Sequence, residues 1–302
     1  MTRCFTYEVS KEEVGQTIGY FLKNRGYSRQ VLIHLKKTTD GIRRNGTWAY
    51  TRERLEAKDR LQIRLVEKIS SEQIKPVSLP FGVVYEDQDL LVVNKPAGMP
   101  IHPSMNHHDN TLANAIAAYA QEKKETYPYR CINRLDRDTT GLLILAKHML
   151  SAAILYEQMR NRKILRTYLA LVKGKIESPG TIDLPIGRAP GSTIERRVDP
   201  IDGERAVTHY MPLKYGKDWT LLQCNLETGR THQIRVHMSH IGHPLPGDFL
   251  YGQEEDHAKR QMLHSFKLSF AHPISKKQME FTQKLPEDMQ EYMKSSHKTE
   301  KQ

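Results

Sequence analysis

The segment Asn133-Arg134-Leu135-Asp136-Arg137-Asp138-Thr139-Thr140-Gly141 runs without a break into Leu142-Leu143-Ile144-Leu145-Ala146-Lys147. The apolar run must be buried, so whatever strand it forms is interior, and its entrance is crowded with carboxylates, guanidiniums and hydroxyls. A polar loop at the mouth of a rigid buried strand is where folds place binding and catalytic side chains. Taken by themselves, Asp136 and Asp138 fit two readings: a DxD metal pair, or two carboxylates held by Arg134 and Arg137 in a structural salt-bridge network.

The surroundings predict a mixed α+β domain. Strand-like runs occur at Leu90–Val93, Leu142–Ala146, Tyr168–Val172 and Trp219–Leu226, and helical patterns at 111–123 and 148–162. With 302 residues, the chain exceeds one ordinary domain, which implies a smaller companion. The division expected is 1–70, a linker 71–80 within the polar, proline-bearing EKISSEQIKPVSLP, a catalytic domain 81–292 and a frayed tail 293–302. No stretch approaches the roughly 18 apolar residues of a membrane span, and the first residues lack a signal peptide's apolar core, so a cytoplasmic protein is expected. The cysteines Cys4, Cys131 and Cys224 form no CxxC pair and are expected to be reduced.

Net charge points to the partner. Lys plus Arg number 46 against 35 Asp plus Glu, a formal +11, which favours a polyanion and above all nucleic acid. Residues 1–70 hold 15 basic and 8 acidic side chains, so 7 of the 11 net charges lie there. In this stretch Ser10-Lys11-Glu12-Glu13 forms a capping-box pattern ahead of a helix expected over about 11–24. Ser28 can cap a second helix, and Asn45-Gly46 reads as a hairpin turn. Two short helices, a hairpin and a closing strand with AKDRLQI resemble the small RNA-binding domain named after ribosomal protein S-four. That resemblance places Arg29, Lys36, Lys37, Arg43 and Arg44 against RNA phosphate; a merely solvated basic face is the alternative.

From 81 to 285 five ordered blocks resemble the RluA/RluD-type RNA pseudouridine synthases. They are YEDQDLLVVNKPAGMPIHPS at 85–104, NRLDRDTTG at 133–141, NRKILRTYLALVKGKI at 161–176, ETGRTHQIRVHMSHIGHPLPGD at 227–248 and LHSFKLSFAHP at 263–273. One departure is Asn133, where the family commonly has His before the Arg-Leu-Asp triplet; it puts loop packing in question. The resemblance implies an α+β fold with a mainly antiparallel sheet, isomerisation of uridine in structured ribosomal or transfer RNA, no cofactor and a monomer. It assigns Asp136 as nucleophile, Tyr168 as the active-site tyrosine and Arg230 as the cation paired with the aspartate, keeping it charged and aimed.

Arg134, Leu263 and Lys95 are assigned to substrate binding, Lys95 with a structural role as its alternative. A covalent route needs a carboxylate that attacks and later departs, and an aromatic ring on which uracil can lie. His232, His237, His240 and His243 raise a zinc hypothesis, but the three-residue steps drift around a helix that Gly242 and Pro244 end, so no metal is expected. Neither GxxxxGK[ST] nor GxGxxG occurs. The rival readings are a catalytically silent RNA-binding or ribosome-assembly protein, and a metal-dependent transferase built on Asp136 and Asp138.

Overall fold

In the computed structural model, residues 1–67, 74–104, 107–126, 128–252 and 257–295 are described. The chain opens with β1 (Thr2–Glu8), a single 3-10 turn (Lys11–Glu13), α1 (Ile18–Asn24), α2 (Arg29–Lys37), β2 (Ile42–Arg44), β3 (Thr47–Trp48) and β4 (Arg60–Val66). The expected helix over 11–24 is split. Glu13 accepts from the Ser10 amide at 3.0 Å but closes only one turn; Gly15 then takes a φ of +82°, and Thr17 starts α1 by accepting from the Tyr20 amide. Ser28 caps α2 through the Val31 amide. Asn45 and Gly46, with φ of 50° and 87°, make the tight hairpin turn. The four strands pair in the order β1-β4-β2-β3, and β1 was not foreseen.

The larger unit holds β5 (Gly82–Glu86), β6 (Leu90–Lys95), α3 (Leu112–Glu122), β7 (Thr140–Ala146), α4 (Met149–Arg160), β8 (Leu165–Lys173) and β9 (Gly180–Asp183). It continues through β10 (Ile186–Arg188), β11 (Arg196–Val198), β12 (Val207–Tyr215), β13 (Trp219–Leu226), α5 (Gln233–His240), β14 (Leu263–Ala271), β15 (Gln278–Thr282) and α6 (Glu287–Ser295). Nine strands form one sheet, in the order β5-β6-β7-β14-β8-β13-β12-β9 with β15 beside β14; only the β7–β14 pairing is parallel. The fold is therefore mixed α+β with a mainly antiparallel sheet.

Both sheet faces are covered, which explains why the central strands read as continuous apolar runs rather than as alternation. Leu91, Val93, Leu143, Leu145, Tyr168 and Ala170 pack on one side with Leu112 and Ile116 of α3 and Ile234 and Met238 of α5. Their neighbours Leu90, Val92, Leu142 and Ile144 pack on the other side with Ala152 and Leu155 of α4. Where β7 meets β14, Gly141 has a φ of +109°, and a Cβ there would lie 2.3 Å from the Ser265 carbonyl oxygen. Only glycine permits this crossover, which is why the polar loop must end in Gly141.

Helix α4 also faces the small module: Leu150 and Ile154 belong to the same core as Phe21, Leu22, Val31 and Ile63. Arg3 of β1 pairs with Asp89 at 2.8 Å, and Glu67 accepts from the Met149 amide at the start of α4 while pairing with Arg130. The module is thus docked, not tethered. Within the expected linker, Lys75 and Val77 hydrogen-bond Asn114 of α3, and 71–73 lie outside the described residues. Helix α6 extends to Ser295, into the stretch expected to fray, whose remainder, 296–302, also lies outside them. Among the described residues no helix is long and apolar enough to cross a membrane.

Candidate active site

The loop between Asn133 and Thr140 is fixed from both sides before any reacting group is considered. Leu135 is buried in the core. Asn133 accepts from the Ile144 amide at 2.9 Å and donates to the Leu142 carbonyl, stitching the loop to β7, so the departure at this position is accommodated by local hydrogen bonds. Arg260 donates to the Asp138 carbonyl. Lys95 is fully buried, and its Nζ donates to the carbonyls of Pro96, Met99 and Arg137 at 2.7–2.9 Å. Assigning Lys95 to substrate binding is therefore corrected: it ties the 96–99 turn to the aspartate loop. Burial lowers its pKa to about 7, against the opposing charges of Asp138 and Asp136.

A cleft of about 800 Å³ opens over this loop, and Arg134, Asp136, Tyr168, Arg230 and Leu263 all line it. Asp136 is partly exposed there. Tyr168 on β8 and Leu263 on β14 come from adjacent strands and are each about 5% exposed. Burial raises the Tyr168 pKa, with Arg166 acting against it and Asp136 with it, so the hydroxyl keeps its proton at neutral pH. Of the five arginines around the opening, Arg160, Arg162 and Arg230 pair with Glu157, Glu227 and Glu204. Arg134 and Arg166 have no carboxylate partner among the described residues.

The cation against Asp136 is not Arg230. Arg230 sits at the rim, bound to Glu204 and donating through Nε to the Arg205 carbonyl. Arg235 of α5 instead donates through Nη1 to Asp136 Oδ2 at 3.1 Å. Its Nε and Nη2 fork onto the two oxygens of Asp248 at 2.7 and 2.8 Å. Arg235 is 2% exposed, and Asp248 is also buried. Burial alone would lower the Arg235 pKa; the Asp248 bonds and the charges of Asp136 and Asp248 outweigh it, and the pKa is raised. A bidentate fork leaves the guanidinium no freedom to rotate, so its third nitrogen holds Asp136 in a fixed place. Asp136 Oδ1 is left unbonded by Arg235, and His232 Nε2 lies 3.9 Å from it.

Arg235 and Asp248 both fall inside the block at 227–248 and were passed over. The available signal was a lone arginine between Ile234 and Val236 on a helix whose face must be buried, a position that demands a carboxylate partner. The DxD reading fails on geometry, because Asp138 is held by its neighbour Arg137 at 2.8 Å and is not part of the cleft lining. The histidines of the fourth block do not converge either. His232 bonds Tyr251, His237 bonds Thr208 and the Leu184 carbonyl, and His243 bonds the Lys173 carbonyl. Burial lowers the His232 pKa, which keeps that ring neutral beside Asp136 at neutral pH.

The phosphate-facing residues expected on the module divide in two. Arg29, Lys36 and Lys37 are exposed. Arg44 is instead an internal strut, paired with buried Asp59 at 2.6 Å and with Glu56 at 3.0 Å, and Arg43 pairs with Asp40 at 3.1 Å.

The RNA pseudouridylate synthase family profile matches residues 89–240, which include the aspartate loop, β8 and α5. The uncharacterized RNA pseudouridine synthase YjbO of Bacillus subtilis (strain 168) is 38% identical over 282 residues, 93% of this chain and 99% of that protein. The ribosomal large subunit pseudouridine synthase D of Zymomonas mobilis is 42% identical over 233 residues, 72% of this chain and 73% of that one. Among solved structures, human RNA pseudouridylate synthase domain containing 1 superposes with a TM-score of 0.58 at 27% identity, covering 74% of this chain and 98% of its own. The cleft built around Asp136, Tyr168 and Arg235 is thus set in a fold and a sequence that agree, and the chain belongs to the RNA pseudouridine synthase family.

Proposed function

We propose that Asp136 is the nucleophile of this RNA pseudouridine synthase, with Arg235 holding it and Tyr168 as the platform for the uracil ring. The observation that carries the reading is the buried Asp248–Arg235–Asp136 chain, which spends one guanidinium on aiming a single carboxylate into the cleft while leaving Oδ1 unbonded. In the reaction the bond from ribose carbon 1 to uracil nitrogen 1 breaks, a bond from ribose carbon 1 to uracil carbon 5 forms, and the hydrogen on carbon 5 leaves as a proton while nitrogen 1 takes one up from solvent. Asp136 either attacks ribose carbon 1 or adds to ring carbon 6; both routes use the same free oxygen. Leu263 closes the pocket beside Tyr168, and Arg134, exposed and with no carboxylate partner among the described residues, meets the backbone of the flipped nucleotide.

The substrate favoured is large-subunit ribosomal RNA, because several relatives carry that substrate in their names; transfer RNA is the alternative. The protein acts in the cytoplasm as a monomer, and the S-four-like module grips RNA phosphate through Arg29, Lys36 and Lys37. The test is tritium release from RNA labelled at carbon 5 of uridine, in excess chelator, with ribosomal and transfer RNA supplied separately. Wild-type protein should release label, and Asp136→Asn should fall to background while holding RNA within roughly tenfold, about 1.4 kcal/mol. An active Asp136→Asn protein, checked by mass spectrometry for reversion to Asp, would remove the aspartate from the mechanism.

A further inference from the structure

On the module, β3 ends with Trp48, and Tyr50 follows two residues later on the same side, with Ala49 buried between them. The ring centroids lie 4.6 Å apart at an angle of 56°. Both side chains remain 50% exposed. They border a recess of about 360 Å³ whose floor includes Leu35 and Ile42 and whose rim carries Lys36 and Arg52. Arg52 lies 5.2 Å over the Tyr50 ring, and neither Lys36 nor Arg52 pairs with a carboxylate among the described residues.

Leu35 and Ile42 are already 0% and 2% exposed, yet Trp48 and Tyr50 each keep half of their surface open to solvent, so covering the module core uses only part of each ring. The recess lies at the small end of the roughly 300–1,000 Å³ typical of ligand sites. The partner that fits is flat, aromatic on its faces and anionic at its edge. A nucleobase can stack on one ring and touch the other edge-on, since the tilt presents two separate faces, while Lys36 and Arg52 meet the phosphate.

We propose that Trp48, Tyr50, Lys36 and Arg52 form a binding site for one unpaired nucleobase and its phosphate in the RNA substrate, on a unit separate from the catalytic cleft. The site rests on the reading that the module grips RNA, and deepens it: the module selects single-stranded or bulged positions as well as supplying charge. Stacking is indifferent to which base is present, so the site selects for unpaired structure rather than sequence.

The full-length protein is titrated with a 12-nucleotide oligoadenylate, which offers no uridine to the catalytic cleft. Trp219 is fully buried, so Trp48 is the exposed one of the two tryptophans and its emission is the readout. Binding should quench that emission. For variants that lack Trp48, affinity is read from the anisotropy of a fluorophore-labelled oligoadenylate: Trp48→Leu should weaken it about tenfold with the salt dependence unchanged, and Trp48→Phe should restore most of it. A Lys36→Ala, Arg52→Ala double variant should instead flatten the salt dependence. Thermal melts of each variant verify the fold. Unquenched emission in the wild-type protein and unchanged anisotropy-derived affinity in Trp48→Leu, alongside weaker binding by the charge variant, would overturn the stacking site and leave a phosphate-binding module. Indifference to both changes would overturn the module's RNA role as well.

Discussion

The catalytic cleft and the basic face of the module both carry clustered cations, yet they hold them in different ways. Behind the cleft, Arg235 is buried and tied to two carboxylates; at the opening Arg160, Arg162 and Arg230 are each paired, and Arg134 and Arg166 have no carboxylate partner among the described residues. On the module, Lys36 and Lys37 stand exposed and pair with no carboxylate among the described residues. A buried, forked guanidinium fixes a direction; an exposed ammonium supplies a potential that salt screens within about 10 Å. The difference separates geometry from charge. Changes in the cleft should alter turnover far more than affinity, and changes on the module should alter affinity and salt dependence with turnover intact.

The strongest challenge to that contrast is a substitution that preserves charge but not shape. Arg235→Lys keeps the cation and loses the fork, so Asp248 and Asp136 can no longer both be held. A misplacement of about 1 Å can reduce turnover roughly 100-fold, and a loss of that order is expected in single-turnover tritium release, with a lower melting temperature because Asp248 is buried. Arg230→Lys, at the exposed rim, should stay within about threefold of wild type. Equal losses at the two positions would mean that the fork is not what aims Asp136.

Lys95→Met tests whether the aspartate loop is held from behind. Three carbonyls lose their donor, each worth roughly 1–3 kcal/mol if left buried and unpaired, less what is regained by no longer burying an ammonium. A net destabilisation of about 2 kcal/mol and a fall of about tenfold in turnover are expected. The pH dependence has a definite sign. With the folded pKa lowered to about 7 from 10.5, the unfolded chain binds more protons between those values, so this group makes the folded state more stable as pH rises through that window. The melting deficit of Lys95→Met relative to wild type should therefore be larger at pH 9 than at pH 7, and a constant deficit would show that Lys95 stays charged throughout.

What could be read in the sequence follows from where the physical constraint is local. The runs that became β6, β7 and β8 were visible because both sheet faces are covered and their central residues must be apolar, and β13 because apolar residues predominate in it. The Asn45-Gly46 turn was visible because the hairpin demands two left-handed residues in succession. The convergence of Asp136, Tyr168 and Leu263 came only from the family resemblance. The partner of Asp136 was missed because the choice between Arg230 and Arg235 depends on how α5 is rotated against β12 and on Asp248, 13 residues further on. β1 was missed because Thr2–Glu8 is an edge strand of mixed polarity, identified only by its pairing with β4 across nearly 60 residues. Deleting residues 1–70 would be a poor test of the module, since it would uncover Leu150 and Ile154 and remove Glu67 from α4.

Single charge removals on the module are the gentler test, and their expected effects are the smallest. Arg44 and Lys36 sit a few residues apart and look interchangeable as RNA-facing cations in the sequence. Arg44 closes an ion pair with Asp59, a side chain only 5% exposed that also accepts from Asn45 and the Glu56 amide. Arg44→Ala therefore leaves a buried carboxylate short of its cation and should cost about 1–2 kcal/mol of stability, with little effect on salt dependence. Lys36→Ala removes an exposed charge that pairs with no carboxylate among the described residues, so the melting temperature should hardly move. If Lys36 meets one phosphate, the slope of log affinity against log salt should fall by about 0.7 to 0.9, depending on whether that RNA is single-stranded or helical. Turnover at saturating RNA should be unchanged in both variants, because neither residue reaches the cleft that Arg235 organises. A reversed pattern, with Lys36→Ala unfolding more readily and Arg44→Ala flattening the salt slope, would show that the ion pair with Asp59 opens to RNA and that the module's charges are not divided between structure and binding.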